Sequence, residues 1–99
     1  MDSSGDIEII CDNIDKLSPH ERARLVFRTW ESCSPPYQLK VTSPSGAVII
    51  DRVLRVLPTG EPQSPPPVMF SVQVGVYHMK VTQLRGTAAG EAKLVVKER

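Results

Sequence analysis

Aromatic side chains are scarce in this chain: Phe27, Trp30, Tyr37, Phe70 and Tyr77 are all that its 99 residues contain. A core built from this sequence must be filled by aliphatic groups, and a base-stacking platform for single-stranded nucleic acid is poorly supplied. Charge of one sign is lacking too. Twelve Lys and Arg stand against eleven Asp and Glu, a net charge of +1, so no whole-molecule field draws a polyanion or an anionic membrane. Cys11 and Cys33 are the only cysteines and stand far apart. Two such residues read as buried free thiols and not as a disulfide, and neither has His20 or His78 near enough in sequence to make a zinc set. No metal and no cofactor are expected. No apolar run approaches the roughly 20 residues that span a bilayer. The opening MDSSGDIEIICDN has no signal-peptide core. If Met1 is the native start, the expected location is the cytoplasm; for an excised domain the same segment carries no information.

Catalytic signatures are also missing. The chain has no nucleophile elbow, no P-loop and no glycine-rich dinucleotide loop. Its Ser and His residues have no spacing that suggests a triad. The expectation is a protein without enzymatic activity.

What the chain does have is proline and β-branched residues. Five of its nine prolines fall within Pro58–Pro67 (PTGEPQSPPP), a stretch that cannot pair inside a sheet because proline lacks the amide donor. It reads as a loop, partly polyproline II. Around it lie short alternating runs. DIEIICDNI (residues 6–14) predicts a first strand. YQLKVT alternates Tyr37, Leu39 and Val41 against Gln38, Lys40 and Thr42, the pattern of a half-buried strand. SPSG is a tight turn, with Pro44 suited to its second position. AVIIDRVLRVL predicts one or two strands with a bend or bulge near Asp51, directing Val48, Ile50, Val53 and Leu54 inward. VMFSVQV places Val68, Phe70, Val72 and Val74 on one face. A new strand starts after Gly75, RGTAAGE turns a hairpin, and AKLVVKER closes the chain.

One segment reads two ways. Ser18, Pro19 and Glu21 form a helix-start signature, after which Ala23, Val26, Phe27, Trp30 and Cys33 share a helical face. As a strand, the same segment sends Ala23, Leu25, Phe27 and Thr29 inward and Arg22, Arg24, Arg28 and Trp30 outward, with Val26 the misfit. Local signals favour the helix slightly. The rest of the chain favours the strand, because about seven short strands at intervals of roughly ten residues mark an all-β sandwich.

Residues 37–97 resemble the immunoglobulin-like sandwiches. The resemblance rests on Leu39, Val41, Pro44 and Gly46, then Gly75, Tyr77 and Val81, then Leu94 and Val96. It is one of pattern and names no single family. It implies a tyrosine corner at Gly75 and Tyr77, in which the Tyr hydroxyl bonds to backbone at the end of the sandwich. Met79 stands where antibody-type domains have a cysteine, so the inter-sheet disulfide is missing, and Trp30 comes too early to be the buried tryptophan of such domains.

The expected organisation is a flexible lead-in over residues 1–5 and a single immunoglobulin-like antiparallel β-sandwich over residues 6–99. The alternative is an α+β fold with a helix at about 19–32 packed on an antiparallel sheet. The expected function is a non-catalytic protein-interaction or structural module, a subunit of a larger assembly; its rival is a small α+β ligand-binding or regulatory domain with Trp30 lining a pocket. Two interaction sites are candidates: the face Arg22, Arg24, Arg28 and Trp30, where guanidinium groups beside an indole grip anions or aromatics, and the loop prolines Pro62, Pro65, Pro66 and Pro67, a ligand for an aromatic groove. Solvated strand surface and a stiff connector are the plainer readings of the two. A sheet edge that pairs with a partner strand or with a second copy is the third route, and nothing in the sequence selects the edge. Nucleic acid and a membrane span are not expected.

Overall fold

A computed structural model describes residues 2–14, 17, 19, 21–29 and 34–98. It contains eight strands: β1 (Asp2–Gly5), β2 (Ile7–Cys11), β3 (Arg22–Thr29), β4 (Tyr37–Thr42), β5 (Val48–Leu54), β6 (Val68–Ser71), β7 (Gly75–Gln83) and β8 (Ala89–Val96). They form two antiparallel sheets, one of five strands in the order β1-β8-β7-β4-β5 and one of three in the order β2-β3-β6. The all-β sandwich is therefore the fold. The α+β alternative falls because Arg22–Thr29, the middle of its helix, is a strand paired on both sides.

The period of two fills the space between the sheets. Ile7, Ile9, Ala23, Leu25 and Phe27 from the smaller sheet meet Tyr37, Leu39, Val41, Met79, Val81, Leu94 and Val96 from the larger one, all nearly free of solvent. Few aromatics are needed, because β-branched and Leu side chains at alternate positions already make a continuous apolar layer. Phe70 and Tyr77 do meet across the sandwich, ring centres 5.6 Å apart and tilted by 47°.

One side of the sandwich is closed by the chain itself. Residues 1–5, expected as a flexible lead-in, include a strand: β1 pairs with β8, Asp2 opposite Lys93 through Gly5 opposite Gly90. The chain then switches sheets, with the Asp6 amide donating to the Ala89 carbonyl at 2.7 Å, and continues as β2 beside β3. This crossing brings backbone against backbone. A Cβ on Gly90 would collide with the Ile7 carbonyl oxygen, and one on Gly5 with the Ala89 carbonyl oxygen. A side chain on Gly5 would force β1 from β8 within the larger sheet, and one on Gly90 would force β2 of the smaller sheet from β8.

The proline stretch is a loop, as its composition requires, but its first part is fastened to the structure. Leu57 and Pro58 are buried, and the Phe27 amide donates to the Pro58 carbonyl at 2.7 Å, continuing the line of pairing that β6 makes with β3. Gly60 then lies over Val26, its Cβ position 3.7 Å from Cγ1. This explains the misfit. Val26 points to the outer side of its sheet with the arginines, yet it is only 6% exposed because the loop covers it.

Four inward assignments are corrected: Thr29, at the end of β3, and Val48, Val53 and Val74 are all exposed. Val48 and Val53 are 53% and 54% exposed, while Ile50 and Leu54 are half-buried against the core. The β4–β5 register slips between Val41 and Thr42, which face Ile50 and Val48, so Ile49 is the extra residue of a bulge that reverses the facing of Val48. Val53 lies opposite Gln38, on the outer side. Val74 is also exposed, because β6 ends at Ser71 and the chain turns toward Gly75. There the Pro44 ring packs on Gly75 so closely that a Cβ would lie 2.5 Å from its Cγ.

The crossing gives a direct test. Replacing Gly90 by Ala is expected to destabilise the protein by about 2–3 kcal/mol in chemical denaturation, since the clash is with backbone and cannot be relieved by a rotamer change. A cost below about 0.5 kcal/mol, the range of neutral surface changes, would contradict this crossing geometry.

Candidate functional site

Strands β3, β4, β7 and β8 each have a neighbour on both sides. Among the described residues β1, β2, β5 and β6 are the edges, β1 and β2 being joined by the sheet crossing, and β5 pairs with β4 alone. The phase of the ladder shows which β5 groups remain open. The Leu84 amide donates to the Pro36 carbonyl at 3.0 Å, so even-numbered residues of β4 direct their backbone groups to β7 and odd-numbered ones to β5. Leu54, Arg52 and Ile50, opposite Tyr37, Leu39 and Val41, are thus the residues bonded to β4. Asp51 and Val53 turn their N–H and C=O groups to the free edge. Their side chains share the outer face with Lys40 and Gln38, and Gln38 Nε2 donates to Asp51 Oδ1 at 2.7 Å.

This edge is apolar as well as unpaired. Val48, Ile49, Val53 and, just past the strand, Val56 are all more than 40% exposed. Sheet edges are usually blunted by charge or irregularity. Here the bulge at Ile49 and the adjacent pair Asp51 and Arg52 interrupt the strand, so a partner strand must match them.

The arginine face is placed as the strand reading expected, with Arg22, Arg24 and Arg28 exposed on the outer side of β3. Trp30 lies outside the described residues, as do His20 and Cys33. The arginines stand among acids: Arg24 Nε is 3.6 Å from Asp12 Oδ1, and Arg28 lies opposite Glu8. Of the loop prolines, Pro62 and Pro66 are exposed and Pro65 and Pro67 half-buried. The loop closes on itself, with the Thr59 amide donating to Ser64 Oγ at 3.2 Å and the Ser64 amide to the Glu61 carbonyl at 3.0 Å. That fold-back is unlike the open polyproline rod that an aromatic groove accepts. At the end of the sandwich, Tyr77 hydroxyl oxygen accepts a hydrogen bond from the Gln73 amide at 2.9 Å, four residues back. An open cleft beside it is lined by Ser43, Pro44, Ile49, Val72 and Val74, which are hydroxyl and aliphatic groups.

Sequence reading did not single out β5. A usable signal was present: the proline-rich stretch that follows it cannot turn back as a hairpin strand, which leaves β5 without a neighbour on that side.

Among the described residues no group of His, Cys, Asp and Glu could hold a metal ion, and no helix is long and apolar enough to cross a membrane. His78 is exposed on β7, opposite Thr42 and Lys93. The buried Cys11 thiol donates to Asn13 Oδ1 at 3.2 Å. Asn13 ties β2 to β3, its Oδ1 also accepting from the Arg24 amide at 3.1 Å and its Nδ2 donating to the Arg22 carbonyl at 2.8 Å. Burial pushes the Cys11 thiol above its ordinary value of 9.0, outweighing the backbone hydrogen bonds from Asn13 and Arg24 that favour the thiolate. The folded state therefore keeps the proton where the unfolded chain loses it. Relative to Cys11→Ala, the wild type should lose stability as pH rises past 9.0, by at most about 1.4 kcal/mol per unit until the folded thiol ionises. Parallel stability profiles for the two proteins from pH 7 to 10 would contradict this.

In comparison with known proteins, the chain matches no family model, no curated protein and no solved structure.

Proposed function

We propose that this protein is a non-catalytic interaction module of immunoglobulin-like type, which joins a larger assembly by accepting a partner strand along β5. The observation that carries this reading is the edge itself: seven residues of strand, with no neighbour on one side among the described residues, and with Val48, Ile49 and Val53 exposed. Backbone groups supply affinity in such pairing and the alternating side chains supply selectivity.

The immunoglobulin-like assignment is supported by strand order and by the tyrosine. Setting β1 aside, the first, second and fifth strands form one sheet and the third, fourth, sixth and seventh the other. An immunoglobulin-like sandwich likewise keeps its first, second and fifth strands in one sheet and its third, sixth and seventh in the other. Here the fourth strand joins the latter sheet, on the side where variable-type domains add strands. The Tyr77 hydroxyl bond to backbone at the start of β7 is in keeping with a tyrosine corner. The absence of catalysis is supported by an interior filled with apolar side chains and by a cleft open to water, where a charged transition state would gain little from preorganised dipoles.

Val53→Pro removes an amide that faces the free edge while leaving the β4–β5 bonds intact, so the variant should fold. Quantitative affinity capture from the native extract with wild type and Val53→Pro tests the reading. Proteins that bind through β5 should be lost from the variant and retained by Glu91→Gln, a change on the distant β8. An identical set captured by all three would overturn it.

A further inference from the structure

The β5 edge carries its own charge code, and that code is self-complementary in a single register. We propose that β5 pairs antiparallel with β5 of a second copy, centred on Val53, joining two five-stranded sheets into one of ten strands. This rests on the reading of β5 as a strand-accepting edge and names its partner.

Three constraints select the register. A two-fold axis through a continuous sheet preserves its faces, so outer residues must lie opposite outer residues and the axis must pass midway between one residue and its own counterpart in the second copy. The bulge at Ile49 removes any register centred on Ile50 or earlier, because the ladder cannot run regularly through it. Of the centres that remain within the strand, Leu54 would set Arg52 opposite Val56 and Asp51 opposite the buried Leu57, with no charge pair at all. Asp51 would oppose its own copy and place two carboxylates face to face, and Arg52 would do the same with two guanidinium groups. Like charges directly opposite are destabilising.

Centring on Val53 avoids all three. Val53 then meets Val53 on the outer face, where it is 54% exposed in the single chain. Asp51 meets Arg55 of the second copy, and the symmetry makes this pair twice. On the other face Arg52 lies opposite Leu54, beside an apolar side chain along which its stem can rest. The backbone phase also agrees, since Asp51 and Val53 are the residues whose amide and carbonyl groups face the edge. Asp51 is ready for this role: Gln38 holds one carboxylate oxygen, and the carboxylate has further acceptor capacity. Arg55 is exposed and follows β5 directly.

The overlap is short, Asp51 to Arg55 on each copy, and far smaller than the roughly 1,000 Å² of a stable interface. The dimer should therefore be weak, with a Kd of about 0.1–1 mM.

Sedimentation equilibrium of the full chain, from about 10 μM to 1 mM at low salt, tests this. The weight-average mass should rise from the 10.9 kDa of one chain toward twice that value. Asp51→Arg and Arg55→Asp should each weaken association about tenfold or more, since each turns both symmetric pairs into like charges. An equimolar mixture of the two variants should recover association, because every contact across the mixed pair is again opposite in charge. That recovery is specific to this register and cannot come from a general loss of folding. A mass that stays at 10.9 kDa throughout, or a mixture no more associated than its components, would overturn the proposal. If the wild type stays monomeric while Val53→Pro still loses a captured protein, the second copy is ruled out and the strand-accepting edge stands. If neither association depends on Val53, both fall.

Discussion

The structure turns on an inequality of width. A sheet of five strands faces a sheet of three, so one layer must extend beyond the other. On one side the excess is absorbed by covalent continuity, because β1 and β2 are a single stretch of chain that leaves the larger sheet and enters the smaller. The close approach of Gly5 and Gly90 to opposing carbonyl oxygens is the steric condition for that switch. On the other side nothing in the described chain covers the excess, and β5 is left with an open edge and an exposed face. The core ends at the half-buried Ile50 and Leu54.

The proline-rich loop lies on that same side and bears on both sheets. After β5 the chain turns Leu57 and Pro58 into the structure and lays the Pro58 carbonyl on the Phe27 amide. It thus completes the smaller sheet where β6 is too short to do so, and it shields Val26. Proline suits this position because it contributes a carbonyl to the neighbouring strand while offering no amide for further pairing. The loop caps the smaller sheet and leaves the larger one open.

Much of this was legible in the sequence, for a reason that also marks the limit. Strands covered on one face show their burial as alternation, and Tyr37, Leu39 and Val41, or Val68, Phe70 and Val72, carry it without interruption. The β3 segment was ambiguous because Arg, Ala and Leu suit a helix locally. The strand prevailed because its inward residues Ala23, Leu25 and Phe27 complete a core that a helix could not fill in the same register. β5 was misread for a different reason. Alternation reports which residues share a face but not whether anything covers that face, and Val48 and Val53 have the composition of buried residues at an uncovered position. Edge status is a property of topology, and a bulge at Ile49 reverses the facing midway. Val26 shows the converse, an outward residue buried by a loop distant in sequence.

The functional reading follows from the same geometry. The arginines of β3 are placed among Asp12 and Glu8, and the loop prolines are folded back on Ser64, whereas the β5 edge presents polar backbone and apolar side chains together. Everything said of that edge depends on the phase of the β4–β5 ladder. Residue-by-residue amide hydrogen exchange on dilute protein measures it directly. Ile50, Arg52 and Leu54 should be protected while Asp51 and Val53 exchange close to the rate of unstructured chain. Equal protection along β5, or the opposite alternation, would contradict the account.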